Sequence, residues 1–468
     1  MVKHLSLYLA ILLLFGSATY LILRRGSKLE HGKISQPAIE VPQESFAGTL
    51  NKTFLQNFSE PISKLLLQLI VIIILARFMG TLFQKIGQPA VIGEMVAGIL
   101  LGPSLLGMVA PSVESFLFPQ SSMAALRLFS QVGVILFMFL VGTELDVARV
   151  REKVHTAVLV SHASIVIPFF LGTALSWWLY SSLAPAGISF VAFALFMGIA
   201  MSITAFPVLA RIIQERGLTG TYLGSLAIAC AAVDDATAWC FLAFVIAIVR
   251  ASGIAGSVFT IGLTLFFVLI MLFFIKPWLG RLLATDKEDG KLGKSILTGI
   301  LIFALASALF TELIGIHALF GAFLAGVSIP SLRNLQSFLK ERLETLTSAF
   351  LLPLFFAFSG LRTRLDLLND WQSWLISAGI IVVAIAGKLG GSSLAARWTG
   401  MTWRDSLSLG VLMNARGLIE LIVLNIGYDM GILSHKVFSM MVLMALITTF
   451  MTGPLLSLFE AKKKKALR

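Results

Sequence analysis

From Thr219 to Val249 the chain reads TGTYLGSLAIACAAVDDATAWCFLAFVIAIV. The stretch is long and apolar enough for a membrane-spanning helix, for which about 20 residues suffice. Asp234 and Asp235 nevertheless stand side by side in its middle, and no other charged residue occurs in it. Each carboxylate at that depth costs roughly 2.5–3.5 kcal/mol on insertion scales, so an adjacent pair marks a polar cavity, an ion path or a proton relay. A loop misread as a helix, or an inert salt bridge, is the plainer alternative. Successive helical residues point about 100° apart, so the two carboxylates do not face one spot. One is expected to line an ion site while the other takes a basic partner. A carboxylate there holds either H⁺ or a hard cation through its oxygens, and competition between them would couple the two fluxes.

The rest of the chain fits that setting. Of 468 residues, 57% are hydrophobic and 13% charged, against about 25% charged in soluble domains. The apolar residues fall in runs, and backbone polar groups in lipid must be satisfied within each run, so the runs are helices. Thirteen segments are expected, at about 62–83, 89–107, 123–143, 155–181, 189–213, 220–249, 257–283, 292–314, 316–329, 335–361, 371–397, 404–427 and 434–459. Leu5 to Leu23 is an extra N-terminal hydrophobic segment, read as a retained anchor with a signal peptide as the alternative. Residues 24–60 read as a polar extramembrane loop, 61–460 as the membrane domain and 461–468 as a basic cytoplasmic tail. Lys and Arg gather in alternate loops: Arg149, Arg151 and Lys153; Arg211 and Arg216; Lys287, Lys291 and Lys294; Arg333, Lys340 and Arg342; and the run Lys462 to Lys465. The intervening loops carry only Arg250, Arg362, Arg364 and Lys436. That bias places the basic loops and the C-terminus in the cytoplasm, in a cell (inner) membrane. The net charge of +12 therefore reads as orientation signal, and no nucleic-acid partner is expected. Cys230 and Cys240 lie on one segment, too far apart for a disulfide, and read as small buried residues.

Two intramembrane basic residues can partner the acidic pair. Lys388 lies in IVVAIAGKLGGSSLAA and Arg416 in MNARGLIELIVLNIG. The plain reading of Lys388 is a side chain snorkelling from a helix end. That of Arg416 is a local ion pair with Glu420 at i+4. In LFMGIAMSITAFPVLARII, Pro207 removes a backbone donor and disfavours helix at Phe206, with Ser202 and Thr204 at the same depth. A simple proline kink is one reading. The other is a broken helix whose freed carbonyls and hydroxyls coordinate a cation. Asn414, Arg416 and Gly417 interrupt the twelfth segment in the same way, and one interrupted helix per half is the layout of an inverted-repeat transporter. Glu94, Glu144, Glu312 and His317 read as structural or interfacial.

With these residues in view, the chain resembles the monovalent cation:proton antiporter-2 family. The matching stretches are GEMVAGILLGPSLLG, FLVGTELD, SITAFPVLARII, AAVDDATAW, GIHALFGAFLAG, LPLFFAFSGLRT, GKLGG and NARGLIELIVLNIG, in order over about 60–455. The resemblance implies an all-α polytopic fold of about thirteen helices in an inverted repeat, with segments five and twelve discontinuous and crossed. It implies that Asp235 binds the ion, that Asp234 pairs with Lys388, that Thr204 completes the site, and that the chain forms a homodimer.

The expected function is exchange of protons for Na⁺ or K⁺ by alternating access, with no enzymatic activity and no cofactor. The alternative is a sodium-coupled symporter of a small organic solute on a related fold, which needs a roomier polar pocket. A channel fits poorly with broken helices in both halves. An intramembrane aspartyl protease would carry its two acids on different helices.

Overall fold

Segments that bury their backbone bonds internally become helices, and the computed structural model is a set of them. It describes residues 13–15, 17–22, 24–25, 57–58, 60–144, 154–205, 208–209, 212–213, 216–218, 221–250, 254–284, 294–330 and 332–466. Pro207 lies outside these residues, as do most of the 24–60 loop and the basic loop at Arg149 to Lys153. The chain divides into two units, Met1–Glu60 and Pro61–Arg468. In the first, residues 13–15, 17–22 and 24–25 are helical, with Leu13, Phe15 and Ile22 exposed.

The second unit holds a helix for each of the thirteen expected segments. They are α1 (Pro61–Lys85), α2 (Ala90–Leu101), α3 (Gln120–Glu144), α4 (Val154–Leu183), α5 (Phe190–Ser202), α6 (Tyr222–Arg250), α7 (Val258–Leu283), α8 (Lys294–Leu313), α9 (Ala318–Ser328), α10 (Asn334–Leu367), α11 (Trp371–Trp398), α12a (Trp403–Met413) with α12b (Leu418–Asp429), and α13 (His435–Ala466). Among the described residues, ten helices are long and apolar enough to cross a membrane, while α5 and α9 are shorter. The backbone of α13 stays helical through the lysine run. Exposed tryptophans fall near the ends of the spans, at Trp177, Trp178, Trp278, Trp371, Trp398 and Trp403, as an interfacial belt requires. Along α7, Phe266, Phe273 and Phe274 are exposed, the surface of a helix that faces lipid.

The helices pack as two bundles. One contains α1, α2, α3, α8, α9 and α10; the other contains α4, α5, α6, α11, α12 and α13. Between these sets α7 runs on from α6. The order of packing partners repeats with an offset of seven helices.

Two glycine crossings carry the repeat in atomic detail. At the α2–α10 crossing a Cβ on Gly360 would lie 2.8 Å from the Gly98 Cα, and at the α3–α9 crossing a Cβ on Gly326 would lie 2.9 Å from the Gly142 Cα. Helix 2 is seven before helix 9, and 3 is seven before 10, so the two crossings are equivalent. Missing side chains let the backbones approach, the usual device where lipid supplies no hydrophobic drive between helices. Gly98→Val or Gly326→Val is expected to abolish monodisperse folded protein in detergent gel filtration, an overpacking cost of about 3 kcal/mol or more. Gly379→Ala, where nothing lies within 4 Å, is expected to elute and melt as the unsubstituted protein does.

Candidate ion site

The site begins where α5 stops. The helix ends at Ser202, and Ile203 turns extended with φ −79° and ψ 137°. The carbonyls of the last turn then have no helical donor ahead of them. Two basic side chains take them. Arg416 donates from Nη1 to the Ala200 carbonyl at 3.2 Å and from Nη2 to the Met201 carbonyl at 2.7 Å. Lys388 donates to the Ser202 carbonyl. Cations there also suit the negative end of the half-helix dipole.

The twelfth segment breaks opposite the fifth. Between Met413 and Leu418 the chain is non-helical, and the two interrupted segments touch: the Ala205 amide donates to the Ala415 carbonyl at 3.1 Å and Thr204 Oγ1 to the Met413 carbonyl at 3.3 Å. At Gly417 a Cβ would press on Val208 Cγ2, so glycine permits the close approach. Arg416 is further tied by Thr449 of α13, whose hydroxyl accepts from its amide at 3.0 Å and donates to its carbonyl at 2.7 Å.

The two acids of the pair stand in different surroundings. Asp234 is fully buried and takes four donors: Ser161 Oγ at 2.5 Å, Ser164 Oγ at 2.9 Å, Thr204 Oγ1 at 2.5 Å and Lys388 Nζ at 3.1 Å. Lys388 is also fully buried and spends all three protons, on Asp234, the Ser202 carbonyl and the Ser164 carbonyl at 2.9 Å. With no exposed surface and all its protons on internal partners, it does not snorkel. Asp235, 2% exposed, points to a different side of α6. Trp239, one turn on and on the same face, stacks on Phe323 of α9 with ring centroids 5.9 Å apart. That contact crosses from one bundle to the other, so the Asp235 face of α6 looks onto the seam between them.

The remaining candidates fall into place around this core. Arg416 and Glu420 do form the local pair, at 3.3 Å and fully buried, but the arginine also bridges to α5. The Ser202 hydroxyl donates to the Ile199 carbonyl at 2.9 Å, and its own carbonyl serves Lys388. Asn414, 1% exposed, has no hydrogen-bond partner for either amide atom among the described residues, a cost of about 1–3 kcal/mol. Glu312 and His317 act structurally, accepting from the Ala318 and Leu319 amides at the start of α9.

The sequence reading missed Ser161 and Ser164. Their spacing of three residues on α4 is the available signal, since it puts both hydroxyls on one face. It also missed a charged clasp at one end of the seam. There Asp429 of α12b accepts from Arg127 of α3 and from Arg362 of α10, each at 2.9 Å. Arg362 also donates to Asn425 Oδ1 at 2.9 Å, and Asn425 donates to Ser359 Oγ at 2.8 Å. A cavity beneath the clasp is lined by Ser130, Gln131, His317, Phe355 and Ile422. At the other end of the seam Gln88, just before α2, donates from Nε2 to the Phe450 carbonyl of α13 at 3.2 Å.

Comparison with known proteins adds a family to this geometry. A family profile described as sodium/hydrogen exchanger, transmembrane, matches residues 70–460. The chain is 45% identical over 392 residues to the Na(+)/H(+) antiporter NhaS4 of Synechocystis sp., covering 84% of this chain and 96% of that protein. It is 41% identical to cation/H(+) antiporter 17 of Arabidopsis thaliana and 34% identical to K(+)/H(+) antiporter 1 of Saccharomyces cerevisiae, over 84% and 86% of this chain. It spans only about half the length of these last two, 48% and 47%. The solved sodium proton antiporter MjNhaP1 of Methanocaldococcus jannaschii superposes with a TM-score of 0.58 at 13% identity, over 84% of this chain and 96% of the other, a likeness of fold.

Lys388→Ala should leave the Asp234 carboxylate charged, buried and short of its cation, at a cost of about 3–5 kcal/mol. Thermal melting in detergent reads this as a fall in Tm. Lys388→Met combined with Asp234→Asn should recover much of the loss. A Lys388→Ala melt at the unsubstituted temperature would contradict the pairing.

Proposed function

The chain belongs to the sodium/hydrogen exchanger family, and from that premise we propose that it exchanges protons for a monovalent cation, Na⁺ or K⁺, by alternating access, with both ions competing for Asp235. The family is one of transporters rather than enzymes. The observation that carries the reading is the division of labour in the acidic pair. Asp234 is spent on four donors, so its charge is balanced where it lies. Asp235 lies on the face of α6 that looks onto the seam, where a moving bundle would expose it to one side and then the other. A single carboxylate that takes H⁺ or a cation, but not both, makes the two fluxes obligatorily opposite.

Other features fit this mechanism. Thr204 and Ser202 set the geometry of the site through Asp234 and Lys388. The crossed breaks at 203–205 and 414–417 give the second bundle a rigid centre, and the two bundles meet through side chains along the seam, as rocking requires. The bias of basic loops puts the clasp end of the seam outside the cell and the C-terminus in the cytoplasm of an inner-membrane protein. The exposed apolar faces of α1 and α8 suit a homodimer as well as lipid.

Reconstituted protein with a trapped pH dye tests the reading. Added Na⁺ or K⁺ should collapse an imposed pH gradient, and Asp235→Asn should abolish the response while leaving the melting temperature near that of the unsubstituted protein. Competition further requires the apparent KM for the cation to fall as pH rises, by at most about tenfold per unit for one proton. Collapse by an organic solute alone, or a KM indifferent to pH, would sink the proposal.

A further inference from the structure

Asn414 stands at the crossing of the two interrupted segments, and its side chain is not what holds it there. The flanking carbonyls do that work: Met413 accepts from Thr204 Oγ1 and Ala415 from the Ala205 amide. The same Thr204 hydroxyl touches Asp234, so the amide stands one residue from a direct link to the acidic pair. Its Oδ1 and Nδ2 are both buried and have no hydrogen-bond partner among the described residues. Leucine has nearly the same shape and would avoid the unmet amide. A buried amide that the fold does not use is best explained by a ligand that does. Its carbonyl oxygen is hard and neutral, the donor type that alkali and other hard cations accept beside a carboxylate.

We propose that Asn414 is a ligand of the transported cation, its Oδ1 adding a neutral oxygen to the charge of Asp235 and so setting the affinity for, and the choice among, alkali cations. This assignment rests on the exchange reading given above. A neutral amide oxygen binds a metal ion but does not take up a proton near neutral pH. Its removal therefore weakens the cation half of the cycle and spares the proton half, an asymmetry that a scaffold residue would not produce.

The experiment uses the full chain in proteoliposomes, with Na⁺, K⁺ and Li⁺ titrated separately against the dye signal, and melting curves with and without each salt. Asn414→Leu is expected to melt, without cation, at or above the unsubstituted temperature. It should lose the cation-induced rise in Tm. Its apparent KM should increase by about tenfold or more, while the pH midpoint of proton release measured without cation stays in place. Asn414→Gln retains an oxygen on a longer arm and is expected to keep exchange with an altered ratio among the three ions. Unsubstituted KM and ion ratios in Asn414→Leu would overturn the assignment. A lowered melting temperature or a failure to fold in Asn414→Leu would overturn it as well, because either would make the amide a structural group. If the unsubstituted protein gives no cation-dependent signal, it is the exchange reading that fails, and this assignment falls with it.

Discussion

A helix that stops halfway across a bilayer leaves carbonyl groups in a place where water cannot reach them. In this protein α5 stops at Ser202, and the carbonyls of Ala200, Met201 and Ser202 are met by Arg416 and Lys388. Those cations could not be buried alone, and each has an acid: Glu420 for the arginine and Asp234 for the lysine. The acid beside the lysine then draws in Ser161, Ser164 and Thr204. The charged centre of the second bundle thus follows from one backbone interruption, each group being present because the previous one needed it. Asp235 stands next to this network rather than within its set of four donors, the position that the proposed exchange asks of it.

Much of this was legible in the sequence because charge inside an apolar run is costly and therefore conspicuous. All thirteen segments, the acidic pair, and Lys388 as the partner of Asp234 were read from that contrast or from the family resemblance. The features that escaped are those whose signal is ordinary. Serine is common in membrane helices, so Ser161 and Ser164 carried no alarm. Arg416 has an acid four residues away that already accounts for its charge, which hides its bridge to α5. Arg127, Arg362 and Asp429 sit near helix ends, where charged residues are expected, and their meeting depends on tertiary contacts between α3, α10 and α12b. The break at Pro207 was read from proline chemistry, and the structure places the loss of helix just before it, at 203–205.

The two bundles are built by different means. The first is closed by backbone contact at the glycine crossings, Gly98 with Gly360 and Gly142 with Gly326, which leave little room for adjustment. The second is held at its centre by a buried charged network. Each is stiff for its own reason. The seam between them is lined by side chains, among them the Trp239–Phe323 stack, and side chains can slide where backbones locked together cannot.

The clasp on Asp429 has an imbalance of its own. Two guanidinium groups share one carboxylate, so the trio carries an excess of one positive charge at the mouth of the cavity. Within a screening length of about 8–10 Å, an approaching alkali ion meets repulsion there as well as a closed door. On the proposed exchange cycle, parting of the bundles would separate Asp429 from Arg127 and Arg362 and so redistribute that field. In that proposed cycle the same three residues would resist leak by electrostatics, beyond what shape alone provides.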